Sequence, residues 1–425
     1  MYRASAYRQR TFSSLAIRNF RLYFIGQGIS ISGTWMQSIA QGLLVLKLTG
    51  SGTQLGLVIA LQTLPVLLFG AYGGVIADRF PKRLVLYISQ SAAGAFALAL
   101  GVLVAIDRIE IWMVHVLSVG LGFVNAVDNP TRQAFILELV GPERLRNAVS
   151  LNSTEMNLAR VVGPAFAGVL IGTVGLASCF LLNGLSFFAV IAMMTRMRAS
   201  EFEMAPRVGK SRGQMVAGLR YAWSNPPVRT TLLMMTIIGT FTYEFSVVLP
   251  LFSEFTFEGG PGAYAAMTAA MGAGAVVGGL YTAGRTTTTA ASLSIAAAMF
   301  GGSVLLTSVA PSLVLAVASL LIVGFFSISF TTLGNTTIQL ATEPAMRGRV
   351  MALWTVAFLG TTPIGGPAMG AVGEHFGARW ALVIGGIAAL GAATLGLFVL
   401  RRTEKSLMAS TVIRARGSTR SADEH

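Results

Sequence analysis

The chain alternates long apolar stretches with short polar turns, and each stretch is about as long as a helix needs to be to cross ~30 Å of hydrocarbon. The stretches fall near 20–46, 53–77, 84–106, 111–136, 148–173, 176–196, 228–252, 262–283, 288–310, 313–340, 349–373 and 377–400. Backbone polar groups in lipid must be satisfied within their own segment, so each stretch is predicted to be a transmembrane helix. One polar interruption, 199–227, is longer than the others and splits the chain six plus six. Within it, Met215 to Trp223 alternates apolar and basic positions at helical spacing, which predicts a helix, read first as an ordinary linker helix and otherwise as an amphipathic one on the inner membrane face.

Composition agrees: 54% of the 425 residues are hydrophobic and 11% are charged, against about a quarter charged in a soluble domain. A net charge of +14 would point to nucleic acid in a soluble protein, but the placement of the charges excludes that partner. If the N-terminus is cytoplasmic, only Lys47, Arg108 and Arg379 of the 31 basic residues fall outside and Arg160 alone lies deep within a span; the rest lie on the inner side or at the inner ends of spans. This positive-inside bias predicts an even number of spans with both termini cytoplasmic. The first basic segment runs straight into a span too long for a signal peptide. Cys179 is the only cysteine and the histidines are His115, His375 and His425, so neither a disulfide nor a metal-ligand spacing is expected.

The halves repeat. Asn129-Pro-Thr-Arg-Gln133 corresponds to Asn335-Thr-Thr-Ile-Gln339, Arg79 to Arg285, and, with a small gap, Gly163-Pro164 to Gly366-Pro367. The expected organisation is a basic cytoplasmic segment (1–19), an N-terminal six-helix bundle (20–198), a cytoplasmic linker (199–227), a C-terminal six-helix bundle (228–400) and a basic, disordered tail (401–425). Glycines at small-xxx-small spacing, Gly70/Gly74, Gly168/Gly172, Gly274/Gly278 and Gly366/Gly370, mark spans 2, 5, 8 and 11 as places where helix backbones approach.

Gly74-x-x-x-Asp78-Arg79-x-x-Lys82-Arg83 lies in a tight loop between spans 2 and 3. It resembles the loop 2–3 signature of the major facilitator superfamily, with Pro81 where glycine is usual. Gly33-Thr-Trp35-Met-Gln37, Asp128-Asn-Pro-Thr-Arg-Gln-Ala134, Asn157-Leu-Ala-Arg160-Val-Val-Gly-Pro164 and Arg347-Gly-Arg349-Val-Met-Ala-Leu353 narrow the resemblance. They are similar to the branch with the bacterial enterobactin exporter and related multidrug, tetracycline and macrolide efflux proteins. The resemblance covers roughly residues 18 to 400. It implies an all-α membrane fold of twelve helices in two pseudo-symmetric bundles, working as an alternating-access antiporter. It also implies that Gly74, Asp78, Arg79, Lys82, Arg83 and Asp128 form a conformational latch. In it, Asp78 sits at the N-terminus of a facing helix, expected to be span 11, and Lys82 or Arg83 reaches Asp128. The second-half copy departs from the signature, with Gly284 in place of the acid and Thr286 to Thr289 in place of the basic cluster.

Charges at mid-depth are the strongest chemical signal. An arginine exposed to lipid near the midplane costs from ~3 to over 10 kcal/mol depending on the scale. Arg160 must therefore face an acid on another span, Glu244 among them, or an anionic group of a substrate. Glu155 precedes it on the same helix but at a poor same-face spacing. Glu244 in span 7 reads as a carboxyl that loads and releases a proton as water reaches it from alternate sides, with Glu155 and Asp128 the next proton-coupling candidates. A drug-sized cavity needs aromatics and a few amides. The expected lining is Arg160, Gln27, Trp35, Gln37, Gln41, Tyr243, Phe245, Trp354 and Phe358, with Gln37 and Gln41 favoured because two amides on one face waste hydrogen bonds in lipid.

The function expected is secondary active export of amphipathic small molecules in exchange for protons, by a monomer without cofactors. Import or uniport of a metabolite on the same fold is the alternative, and a sensor or scaffold is a further one. No phosphate-cradling Gly-x-x-x-x-Gly-Lys-Ser/Thr motif occurs, so ATP hydrolysis within the chain is not expected. A lipid-modifying enzyme would need clustered nucleophile, base or metal ligands that the chain lacks.

Overall fold

The computed structural model describes residues 12–203, 214–283, 290–344 and 346–399. Gly284, Arg285 and Thr286 to Thr289 of the second signature copy, much of the basic N-terminal segment, the middle of the linker and the 401–425 tail lie outside the described residues. Twelve helices cross the molecule and no strand occurs among the described residues. We number the crossings α1 (Arg18–Thr49), α2 (Gly52–Arg79), α3 (Lys82–Ala105), α4 and α5 (together Ile111–Thr173) and α6 (Leu176–Thr195). The second set is α7 (Pro226–Phe241, continued by Phe245–Leu251), α8 (Gly260–Ala283), α9 (Ala290–Ser308), α10 (Leu313–Ala341), α11 (Arg347–Leu359, continued by Thr362–His375) and α12 (Ala378–Val399).

Local chemistry sets the ends. Gly50 closes α1 in the left-handed region (φ 64°), with its N–H on Leu46 O. Ser51 then caps α2, its hydroxyl accepting from Gln54 N at 3.2 Å. Asn225 caps α7 in the same way, followed by Pro226 at the first helical position. The 63-residue run Ile111–Thr173 would be about three bilayers long as one rod. It is broken at Gly141 (φ 69°, ψ 172°), where Pro142 also removes a ladder donor. Phe135, Leu139 and Val140 before the break and Ala148 and Leu151 after it share one cluster with Phe20 and Tyr23 of α1.

Two crossings are discontinuous. α7 breaks between Phe241 and Phe245 and ends in a π turn, Phe252–Thr256. α11 breaks at Gly360-Thr361, ahead of Pro363. Broken helices are tolerated inside a membrane only where protein or a water-lined cavity covers the freed backbone groups.

The two bundles touch along α2 with α11 and α5 with α8. The tightest approach is at the end of the molecule opposite the chain termini. Gly52 lies against Gly370 and Gly56 against Gly366, so close that a Cβ on Gly56 would stand 2.6 Å from Pro367 N. Contact between α2 and α11 continues to Leu67 and Gly360. Beyond that α2 faces open space at Gly70, and Asp78 and Arg79 are exposed. The molecule is thus closed at its far end and cleft at the terminus-bearing end. Gly274 and Gly278 pack inside the second bundle against Leu321 and Phe325 of α10, not between bundles.

Candidate functional site

The central feature is the space between the bundles. Trp35 and Ser38 of α1, Arg160 of α5, Tyr243 and Phe245 of α7 and Thr268 of α8 line a cavity of about 170 Å³. It lies just inside the far-end closure, where Gly42 approaches Pro250 and Tyr264. A second cavity of about 290 Å³ is lined by Thr331, Thr332, Asn335 and Thr336 of α10 with Trp354 and Phe358 of α11. The Tyr243 and Phe358 rings meet edge-on at 5.3 Å, so aromatic surface runs from one cavity towards the other. Tyr243 is held by its hydroxyl, which donates to Ser327 O at 2.8 Å.

Arg160 lies with its guanidinium carbon 5.0 Å from the Trp35 ring centroid. Its Nε is buried with no hydrogen-bond partner. The ion pairs among the described residues are Lys82–Glu138, Asp128–Arg132 and Arg198–Glu201, and Arg160 enters none of them. The expected acid on another span is therefore absent, and Glu244 does not supply it. The break in α7 turns Tyr243 to the cavity and Glu244 to α11, where its carboxylate faces Gly365, Gly366 and the Thr362 hydroxyl. Glu244 is buried and its Oε1 has no partner. It sits where both discontinuous helices break.

A second polar centre lies inside the first bundle. Asp128 of α4 accepts from Ser89 Oγ (2.5 Å), Gln90 Nε2 (2.8 Å) and Arg132 Nε (2.7 Å), and is ion-paired with Arg132 Nη2. Arg132 Nη1 donates to Gln27 Oε1 at 2.7 Å. Glu155 of α5 approaches the same region: its Oε1 lies against Gly28, and its Oε2 is buried without a partner.

Three sequence expectations are corrected. Lys82 and Arg83 do not reach Asp128, whose acceptor capacity is taken by Ser89, Gln90 and Arg132. Lys82 pairs with Glu138 at 2.6 Å, and Arg83 donates to Met194 O at 2.6 Å while lying over Tyr87 and Phe202. Gln37 and Gln41 do not line the cavity. Gln37 accepts from Asn183 of α6 at 2.7 Å, and Gln41 donates to Ser118 of α4 at 3.1 Å. Gln27 is likewise turned into the first bundle, on Arg132. Trp35, Arg160, Tyr243 and Phe245 meet at one cavity, and Trp354 and Phe358 at the other.

Sequence reasoning passed over Arg132, although its position four residues after Asp128 places the two charges on one helix face. It also passed over Glu374, near the end of α11. That carboxylate accepts from Thr53 Oγ1 (2.6 Å), Ser51 Oγ (2.7 Å) and Thr53 N (2.9 Å), clasping the start of α2. The three donors and the helix N-terminus hold the exposed Glu374 carboxyl well below the ordinary range, at about 2.

The family model for transmembrane secretion effectors matches residues 9–417 of this chain. The chain belongs to that family, within the major facilitator superfamily. This transporter is 25% identical to the enterobactin exporter EntS of Shigella boydii serotype 18 over 83% of its own length and 85% of the relative's. It is 24% identical to EntS of Escherichia coli O1:K1 / APEC, with the same coverage. Among solved structures it resembles an inward-facing, unoccupied bacterial homolog of the human lysosomal transporter Spinster, with TM-score 0.70, 15% identity and 92% and 97% of the two chains covered. The nucleoside transporter NupG matches at TM-score 0.69 and 14% identity, covering 91% and 98%. These structural likenesses establish the fold, helical bundles of major facilitator type, and the family match makes the chain a membrane-embedded multi-pass transporter.

Proposed function

We propose that this transporter exports amphipathic small molecules of the drug or siderophore type across the bacterial inner membrane, by alternating access and in exchange for protons. The terminus-bearing end is cytoplasmic, as the placement of the basic residues implies, and the chain works as a monomer. The observation that carries this reading is the inter-bundle cleft, sealed at one end by α2 on α11, open at the other and floored by the Trp35–Arg160 cavity. The names of the EntS relatives support siderophore-like cargo and outward direction.

The two ends divide the work. Glu374 with Ser51 and Thr53, together with the glycine contacts, forms the far-end gate. Gly74, Asp78, Arg79, Lys82 and Arg83 form the near-end latch, open in this conformation. Lys82 and Arg83 tie α3 to α4 and α6 within the first bundle, and Asp78 and Arg79, at the end of α2, meet α11 when that end closes. Glu244 carries the exchanged proton: once charged it must find a partner or water, and α11 rearranges at Gly360–Thr362 to provide one. Glu155, beside Arg132, is the second carboxyl able to take that role.

Inverted membrane vesicles test this reading. Under an imposed proton gradient they should accumulate members of a panel of dyes, antibiotics and catecholate siderophores, and a protonophore should abolish the uptake. Vesicles that accumulate none of the panel, or that keep their uptake with the gradient collapsed, contradict it.

A further inference from the structure

We infer that the Trp35–Arg160 cavity is an anion subsite, and that the cargo of this transporter is an aromatic amphipath carrying a single negative group, such as a carboxylate, sulfonate or phenolate, on a flat ring. This rests on the proposed transport reading and goes past it by assigning the charge and shape of the part of the cargo that binds deepest.

The argument starts from charge balance. Asp128 neutralises Arg132 inside the first bundle. Arg160 has no equivalent among the described residues: it is in none of their ion pairs, its Nε lacks a partner, and the hydroxyls sharing its cavity, Ser38, Ser246, Tyr264 and Thr268, carry no charge. Glu244, the neighbour of Tyr243 in sequence, is turned away onto α11. Such a guanidinium in a cavity set within the membrane repels cations and leaves its buried Nε–H unmet, and a negative group on a ligand relieves both conditions at once. The indole of Trp35 holds one face of the guanidinium, which leaves its edge N–H groups to form a planar two-point grip on an oxyanion.

Shape supplies the rest. A volume of about 170 Å³ is below the ~300–1,000 Å³ typical of whole ligand sites, so the subsite takes a ring-sized head and not an entire molecule. Trp35, Tyr243 and Phe245 offer aromatic wall for a flat ring. The uncharged remainder of the ligand extends past Tyr243 and Phe358 to the larger cavity, where Thr331, Thr332 and Asn335 supply neutral hydrogen-bonding groups.

Binding to the purified full-length chain of three radiolabelled probes with one ring system tests this: 2-naphthoate, the neutral 2-naphthamide and the cationic 2-naphthylmethylammonium. Wild-type protein should bind naphthoate roughly 10- to 100-fold more tightly than the amide, the range of a charge-assisted hydrogen-bonding grip, and should bind the cation least. Arg160→Gln should abolish the preference, with naphthoate and amide binding alike within that variant, and Arg160→Lys should keep part of it. Equal wild-type affinity for the three probes overturns the inference, even if Arg160→Gln does not fold, and so does a preference that survives in Arg160→Gln. Proton-driven efflux of cationic dyes without naphthoate preference removes this inference and leaves the transport reading standing. Naphthoate preference in a chain that moves no cargo in vesicles does the reverse.

Discussion

The Glu374 carboxylate of α11 accepts hydrogen bonds from both the backbone N–H and the hydroxyl of Thr53 at the start of α2, joining the two bundles where they are closest. Glu374→Ala removes the acceptor of three hydrogen bonds in one step. It should shift the resting population towards the state open at the far end, read as a longer spin-label distance between the far ends of α2 and α11. Glu374→Gln, which keeps an acceptor oxygen but loses the charge, should give a smaller shift.

The same contact predicts a pH dependence. Its carboxyl is held down at about 2, below the ~4.3 of an unperturbed glutamate. The clasp therefore contributes in full above about pH 4.3 and is lost as pH falls towards 2. Far-end distances should be constant between pH 5 and 8 in wild type, and opening with the Glu374→Ala pattern should begin only below about pH 4.3. A large change near neutrality would assign the gate's pH response to another group.

Arg132 holds the buried Asp128, and truncating one member of a buried pair typically costs ~3–5 kcal/mol because the other charge is left uncompensated. Arg132→Ala should lower the thermal midpoint of the detergent-solubilised protein by several degrees. The double change Asp128→Asn with Arg132→Gln should recover much of the loss. Equal losses in the single and double variants would mean that the pair is not the source.

Glu244→Gln should abolish concentration of cargo against its gradient under proton drive while sparing passive exchange of cargo between vesicle and medium. Continued concentrative transport would move the proton to Glu155. Asp78→Asn should cut turnover sharply without loss of protein from the membrane, because Asp78 acts when the near end closes.

Much of the fold was legible because the bilayer imposes a single length scale: stretches of about twenty apolar residues, with basic residues between them, outline the twelve crossings. The break in α7 was hidden, since neither proline nor glycine occupies Thr242, Tyr243 or Glu244. The break in α11 left a readable trace in Gly360-Thr-Thr-Pro363. At the site, the cost of a charge in lipid singled out Arg160 and Glu244, but not which side each would face. Helical geometry places Trp35, Ser38 and Ile39 on one face of α1 and Gln37 and Gln41 on another. Periodicity alone does not say which face meets the second bundle. The amides did need buried partners, and they found them in Asn183 and Ser118 instead of the cavity. The Glu374 clasp joins residues far apart in sequence, and neither end carries a local signal.

Alternating exposure of the Arg160 cavity is the central claim, and thiol labelling tests it most directly. In protein made cysteine-free by Cys179→Ser, a cysteine introduced at Ser38 should react with a membrane-impermeant reagent from the terminus-bearing side in the resting state. Under conditions that drive transport it should also react from the opposite side. A Ser38→Cys position that stays unreactive from both sides, or reacts from one side only under every condition, would contradict it.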